Sequence, residues 1–308
     1  MRAVFFGTPA LAVPALLALS EVAEIAGVVC QPDRPAGRGL SDRAPAVKVA
    51  ALALDVPLYQ PEKVRNGELE AWLHERRADV ALVLAYGRIL PRGVLVAPRL
   101  GSINLHASLL PKYRGAAPIQ WAIIQGERET GISLMQMNEG LDTGPVFTRH
   151  RLAIAADETF GAVAERLAAL AAEVVRADLP RVARGELRAE AQNDDEASFA
   201  PLLERAHGKI DWSRPAPAIH DLVRGLSPRP SAHTSIQGKQ LRVLETRRLR
   251  AAPPLRPGEV RVERPRVVIG TGEGALELVR AQLEGKRELS ALELVNGRAL
   301  ADGALLGG

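Results

Sequence analysis

The chain has one cysteine, Cys30, in 308 residues, so no internal disulfide can form and a reducing, cytosolic setting is expected. Aromatic residues make up only 4%, too few for a surface on which successive nucleic-acid bases could stack. No run approaches the roughly 20 uninterrupted apolar residues that span a bilayer. Gly7-Thr8-Pro9 and Pro14 interrupt the apolar stretch that ends at Leu19, so no export signal and no membrane contact are expected. The six histidines show neither HExxH nor paired spacing, so no metal is expected. GxGxxG and GxxxxGKS/T are also missing, which removes the sequence signals for a nicotinamide or flavin dinucleotide and for ATP.

What is present describes a globular chain of about two domains, with 47% apolar and 25% charged residues. The net charge of +4 is uneven. Residues 201–308 carry 18 Lys and Arg against 12 Asp and Glu, while residues 1–200 carry 22 against 24. A basic C-terminal third beside a near-neutral remainder suits a polyanion held by one domain, although a solvated basic face looks the same in composition.

Short apolar runs at 2–6, 25–30, 79–85, 101–106 and 131–136 alternate with helical patterns near 11–19, 46–54, 67–77 and 117–125. This alternation predicts a Rossmann-like, mostly parallel α/β sheet covered on both faces. A long Ala/Leu-rich helix is expected over 159–179, stopping before Pro180. The polar stretch 189–206, with Gln192-Asn193-Asp194-Asp195, reads as a linker. Beyond it, a helix near 216–225 precedes short β-like runs at 232–236, 239–247, 258–263, 266–270 and 274–282, punctuated by Gly and Pro. The expected organisation is a catalytic domain over 1–188, the linker, and a small OB-like β-barrel over 207–308.

In open parallel sheets ligands sit beyond the carboxyl ends of strands, which directs attention to SINLHASLLPKYRGAAPIQW at 102–121. Strand alternation puts Asn104 and His106 on one side, where both can donate to a developing oxyanion. A histidine at a strand end is also a common structural feature. Asp142, between Gly140 and Gly144, is either a loop-stabilising Asx turn or a carboxylate that takes a proton or steadies a charged histidine. Together the three suit acyl transfer from a carrier to an amine: the oxyanion needs donors, the attacking nitrogen must lose protons, and the leaving nitrogen must regain one. Cys30 is the weaker nucleophile candidate, with no His or Asn beside it in sequence.

Residues 104–121 and 131–146 and the loop QPDRPAGRG at 31–39 resemble the methionyl-tRNA formyltransferase family. The resemblance continues through Ile210-Asp211-Trp212-Ser213, GTGEGALEL (270–278) and GKRELSALELVNG (285–297), along nearly the whole chain. It implies formyl transfer from 10-formyltetrahydrofolate to the amino group of initiator methionyl-tRNA, by a monomer that uses no metal, nicotinamide or flavin. On this reading Asn104, His106 and Asp142 are catalytic, Ser108, Leu109, Leu110 and Pro111 touch the folate, and the backbone near Tyr86, Gly87, Ile89 and Leu90 takes the pterin. The basic loop 31–48, with Arg34, Arg38, Arg43 and Lys48, is read as irregular and enters the acceptor end of the tRNA, Arg38 matching the key arginine. Selection there rests on a weak first base pair that opens cheaply. In the C-terminal domain Lys209, Arg247, Arg248, Lys286 and Arg287 are candidates to hold tRNA phosphates.

Two rivals remain at this level. A sugar-amine formyltransferase shares the NxHxSLLP and Asp set, and a tRNA-binding protein with a degenerate site shares the basic domain. Two departures from the family pattern stand out: Leu40-Ser41-Asp42 where a lysine pair is usual, and Ser227-Pro228-Arg229-Pro230 where a tryptophan usually packs.

Overall fold

The computed structural model describes residues 1–36, 41–251 and 254–307, with backbone alone for 35, 36 and 41–43. The chain divides into two compact units. Met1–Pro118, Thr130–Ala153 and Ala164–Pro201 form the first; Ile119–Glu129, Ile154–Val163 and Leu202–Gly308 form the second.

The first unit is built on a seven-stranded sheet. Its strands are β1 (Arg2–Gly7), β2 (Glu24–Val29), β3 (Leu58–Tyr59), β4 (Val80–Leu84), β5 (Ser102–His106), β6 (Glu129–Gln136) and β7 (Val146–Ala153). Their spatial order is β7-β6-β5-β4-β1-β2-β3. The β1–β2, β1–β4, β2–β3 and β4–β5 pairs are parallel, whereas β5 and β6 are antiparallel. Every residue of β4 and of β5 is buried; β4 is accordingly apolar throughout, whereas β5 carries Asn104 and His106 among its buried residues. Helices α1 (Val13–Val22), α2 (Ala46–Ala53), α3 (Glu68–Arg76), α4 (Arg92–Val96) and α5 (Pro118–Ile124) lie between successive strands as far as β6, a loop joins β6 to β7, and α6 (Phe160–Ala183) follows β7. Pro14 sits in the first turn of α1, where its missing N–H has no intrahelical partner to lose.

The chain runs β1, β2, β3 outward and then crosses to β4 on the other side of β1, so the strand order reverses between β1 and β4. That crevice lies beyond the ends of β1 and β4, where Thr8 donates its hydroxyl to the Tyr86 carbonyl at 3.0 Å. The end of β5, with His106, is the next strand along.

Three expectations are corrected here. Helix α6 does not stop before Pro180 but runs on to Ala183. A proline removes one helical hydrogen bond, and burial of Leu179 and Val182 outweighs that loss. The helix ends instead where Gly185 takes φ 73°. The loop at 31–48 is not irregular throughout: Arg34–Ala36 and Ser41–Arg43 pair as antiparallel strands, with Arg34 opposite Arg43 and Pro35 opposite Asp42. Residues 189–201 are not a free linker. Glu190 and Val146 exchange backbone bonds of 2.8 and 2.9 Å, Arg114 N donates to Ser198 O at 2.8 Å, and Ala117 N to Ala200 O at 3.1 Å. Polar side chains that suggest solvation are used here to bind the segment to the first unit.

The second unit carries a six-stranded sheet of β8 (Ala232–Ile236), β9 (Lys239–Arg248), β10 (Val260–Glu263), β11 (Arg266–Gly270), β12 (Ala275–Leu283) and β13 (Glu288–Ser290). The order is β8-β9-β12-β11-β10, with β13 also on β12, and every pair is antiparallel. Helices α7 (Ala216–Leu226) and α8 (Ala291–Asn296) close its core, in which Ile219, Val223 and Leu226 meet Val243, Leu276 and Leu278. Ser290 and Glu293 form a reciprocal cap at the start of α8. Arg229 is exposed, so the departure noted in the sequence leaves no hole in this core. Among the described residues no helix is long and apolar enough to cross a membrane.

Candidate active site

Asn104 and His106 occupy alternate positions of β5, opposite Met135 and Ser133 of β6. The loop between β6 and β7 brings Asp142 to both. Asn104 Nδ2 donates to Asp142 Oδ1 at 3.4 Å, and His106 Nδ1 lies 3.6 Å from Asp142 Oδ2. The second distance is too long for a hydrogen bond but short for charge coupling across a poorly hydrated gap. His106 Nε2 is 2.9 Å from the Tyr113 carbonyl. A carbonyl only accepts, so Nε2 carries a proton and Nδ1 is the nitrogen facing the carboxylate. Asp142 Oδ2 also accepts the Gly115 N–H at 2.9 Å.

Asp142 has φ 52°, in the left-handed region that Asp and Asn tolerate better than most residues. Gly144 is required for packing: a Cβ there would sit 1.8 Å from the Gln136 carbonyl oxygen. Gln192 braces the loop from behind. Its Nε2 donates to Asp142 O at 2.8 Å and Gly144 O at 2.6 Å, while its Oε1 accepts Arg114 Nε at 3.1 Å and Nη2 at 2.8 Å. Buried Arg114 also pairs with Asp194 at 2.7 Å. Sequence reasoning assigned no role to Gln192, Arg114, Tyr113 or Gly115: the last three lie inside the quoted stretch 102–121, but only Gln192, 78 positions from Arg114, has no local motif to mark it.

The expected folate stretches are placed unevenly. Ser108 is buried and donates to Lys112 O at 2.6 Å, and Leu110 packs with Met135 and Val146. Ser133 ties the turn together, donating to Ser108 O at 2.7 Å and accepting Leu110 N at 3.0 Å. Only Leu109 and Pro111 of that stretch are half-exposed. Tyr86 and Leu90 are buried in the core beside β4, whereas Gly87 and Ile89 are exposed, and Gly87, at φ 82°, has open space where a Cβ would point.

Of the basic candidates, Arg38 lies outside the described residues, and only the backbone of Arg43 is described. Arg34 is exposed. Lys48 pairs with Asp33 at 2.6 Å, and the Gln60 amide together with this ammonium holds the Asp33 carboxyl below its usual range. Lys209, Lys286 and Arg287 are exposed. Arg247 is exposed too, and lines a cavity of about 500 Å³ with Arg248, Leu249, Arg250 and Asp157.

Cys30 is buried, and burial pushes its thiol up to about 11. Little thiolate exists at neutral pH, which removes it as a nucleophile. Cys30→Ala is accordingly expected to keep kcat within about two-fold, and iodoacetamide to leave the folded enzyme active; rapid inactivation by alkylation at Cys30 would contradict this.

Residues 1–178 match the family model described as formyl transferase, and residues 202–299 match the formyl transferase C-terminal domain. The chain therefore has the fold of a formyl-transferring enzyme. A methionyl-tRNA formyltransferase from Sorangium cellulosum is 55% identical over 312 residues, covering 100% of both chains. One from Solibacter usitatus is 44% identical over 308 residues, covering 100% of this chain and 99% of that protein. The chain belongs to the methionyl-tRNA formyltransferase family. The N-formyltransferase from Helicobacter canadensis, solved in complex with folinic acid and dTDP-3-aminofucose, superposes with a TM-score of 0.70 over 90% of this chain and 98% of that one. At 16% identity it shares the fold alone, so the sugar-amine reading loses to the full-length relatives.

Proposed function

We propose that the chain moves the formyl group of 10-formyltetrahydrofolate onto the amino group of initiator methionyl-tRNA in the cytosol, with Asn104, His106 and Asp142 as the catalytic residues. The observation that carries this reading is the convergence of the three side chains, with Asp142 at 3.4 Å from Asn104 and 3.6 Å from His106. The methionyl amine attacks the formyl carbon and the carbonyl oxygen becomes an oxyanion. Asn104 has a second amide N–H beyond the one given to Asp142, and His106 in its imidazolium form donates from Nδ1. Donors set in place before the reaction stabilise the oxyanion without reorganising. The Asp142 carboxylate balances the imidazolium and takes the proton released by the attacking nitrogen, and the leaving folate nitrogen is protonated in turn.

A pterin carries donors and acceptors along one planar edge, which suits exposed backbone rather than charged side chains. The open backbone at Gly87–Ile89, beside the strand-order reversal, fits that requirement. Leu109 and Pro111 supply apolar contact on the β5 side. The strands carrying Arg34 and Arg43, together with Arg38, which lies outside the described residues, and the exposed cations of the second unit hold the tRNA backbone.

Mass spectrometry after incubation with 10-formyltetrahydrofolate and either initiator or elongator methionyl-tRNA tests the reading. Formyl-methionine on the initiator alone is the expected product. Equal formylation of both tRNAs would remove the selectivity, and no product on either would remove the donor or acceptor assignment.

A further inference from the structure

We propose that Gln192 is a positioning residue for Asp142, so that the segment after the sheet, 190–201, is part of the catalytic centre rather than a connection leading away from it. The inference rests on the reading of Asp142 as a catalytic carboxylate.

All four hydrogen-bonding positions of the Gln192 amide are filled: two carbonyls, of Asp142 and Gly144, take its N–H groups, and two guanidinium nitrogens of Arg114 occupy its oxygen. The orientation of the amide is therefore determined. Flipped, it would set oxygen against two carbonyls and NH₂ against a guanidinium. The clamp grips the backbone on both sides of Thr143, directly at the residue whose carboxylate faces His106, and at a φ of 52° that the loop does not favour on its own.

Arg114 is fixed in turn. It is buried, paired with Asp194, and lies between Tyr113, whose carbonyl accepts from His106 Nε2, and Gly115, whose N–H holds Asp142 Oδ2. Ser198 completes the frame by accepting Tyr113 N on its hydroxyl at 2.9 Å and Arg114 N on its carbonyl at 2.8 Å. His106 and Asp142 are thus referenced to one three-residue segment, 113–115, and Gln192 is the side chain that ties the Asp142 loop to it.

Gln192→Glu keeps an acceptor for Arg114, so the buried guanidinium stays paired and the fold is retained, while both donors to the loop are lost. Its kcat is expected to fall about 100-fold, the order that follows from displacing a reacting group by roughly 1 Å, with KM for folate and for methionyl-tRNA each within about three-fold. Gln192→Ala, the second variant, is expected to show the same split. The decisive measurement repeats Gln192→Ala in an Asp142→Asn background. A residue that acts through Asp142 has nothing left to position, so the residual rate is expected to change by less than about two-fold. A normal kcat in either single variant, or the same fold-loss with and without the Asp142 carboxylate, overturns the proposal. Normal turnover by Asp142→Asn alone would instead overturn the reading of the site, so the two failures are distinguishable.

Discussion

Asp142→Asn is expected to lower kcat about 1,000-fold, within the span for loss of a positioned acid–base group, while the melting temperature stays close to that of the parent enzyme. The substitution is isosteric, and Asn is among the few residues that accept the left-handed backbone found here at φ 52°. One side-chain oxygen remains to accept the Gly115 N–H, and the Asn104 amide can rotate so that its oxygen receives the new NH₂. What disappears is the negative charge 3.6 Å from His106 Nδ1, and the rotated Asn104 amide also redirects its N–H groups. Without that charge the imidazolium that donates to the oxyanion has no counter-charge, and the proton from the attacking amine has no carboxylate to receive it. Both effects belong to the transition state, so KM for either substrate is expected to remain within a few-fold and the loss to appear in kcat. Asp142→Ala is a poorer probe, because it also disturbs the backbone. A kcat within ten-fold of the parent enzyme for Asp142→Asn would sink the mechanism.

The parts of this molecule that could be read from the sequence are those in which one physical demand dominates a short stretch. AVFF at 3–6 and VALVL at 80–84 are apolar throughout because strands buried on both faces have no side for polar residues. Asn104 and His106 stand out against that rule as polar residues in a strand whose five residues are all buried, and Asp142 is marked by the glycines around it. The parts that could not be read depend on contacts between distant stretches. Gln192 and Arg114 are 78 positions apart, and Gln-Asn-Asp-Asp has the composition of a solvated linker until its partners are known. The helix past Pro180 persists because tertiary burial outweighs a local rule. Lys48 counts as a loose cation in a charge tally, and only the fold shows it bound to Asp33. Likewise the strand-order reversal falls between β1 and β4, and sequence cannot locate it because strand order is not a local property.

Raising the salt concentration from about 50 to about 200 mM is expected to increase KM for methionyl-tRNA by about 100-fold or more, which corresponds to roughly four or five phosphate contacts, while KM for the folate donor changes little. The cations proposed for those contacts lie in both units and are exposed: Arg34 in the first, and Lys209, Arg247, Lys286 and Arg287 in the second. Each contact releases condensed counterions from the RNA, and that release is worth less as bulk salt rises. The effect therefore multiplies over contacts, whereas a single active-site charge would give a shallow slope. The structure also orders the individual contributions. Arg34→Ala should reduce the slope by about one contact. Lys48→Ala should barely move it, because the 2.6 Å pair with Asp33 already neutralises that ammonium. Arg247→Ala acts on a cavity wall that also carries Arg248 and Arg250, so its neighbours retain part of the local field and the slope should fall by less than a full contact. A KM for tRNA that is flat in salt would remove the basic face as the tRNA grip, and a larger slope change for Lys48→Ala than for Arg34→Ala would reverse the assignment within residues 31–48.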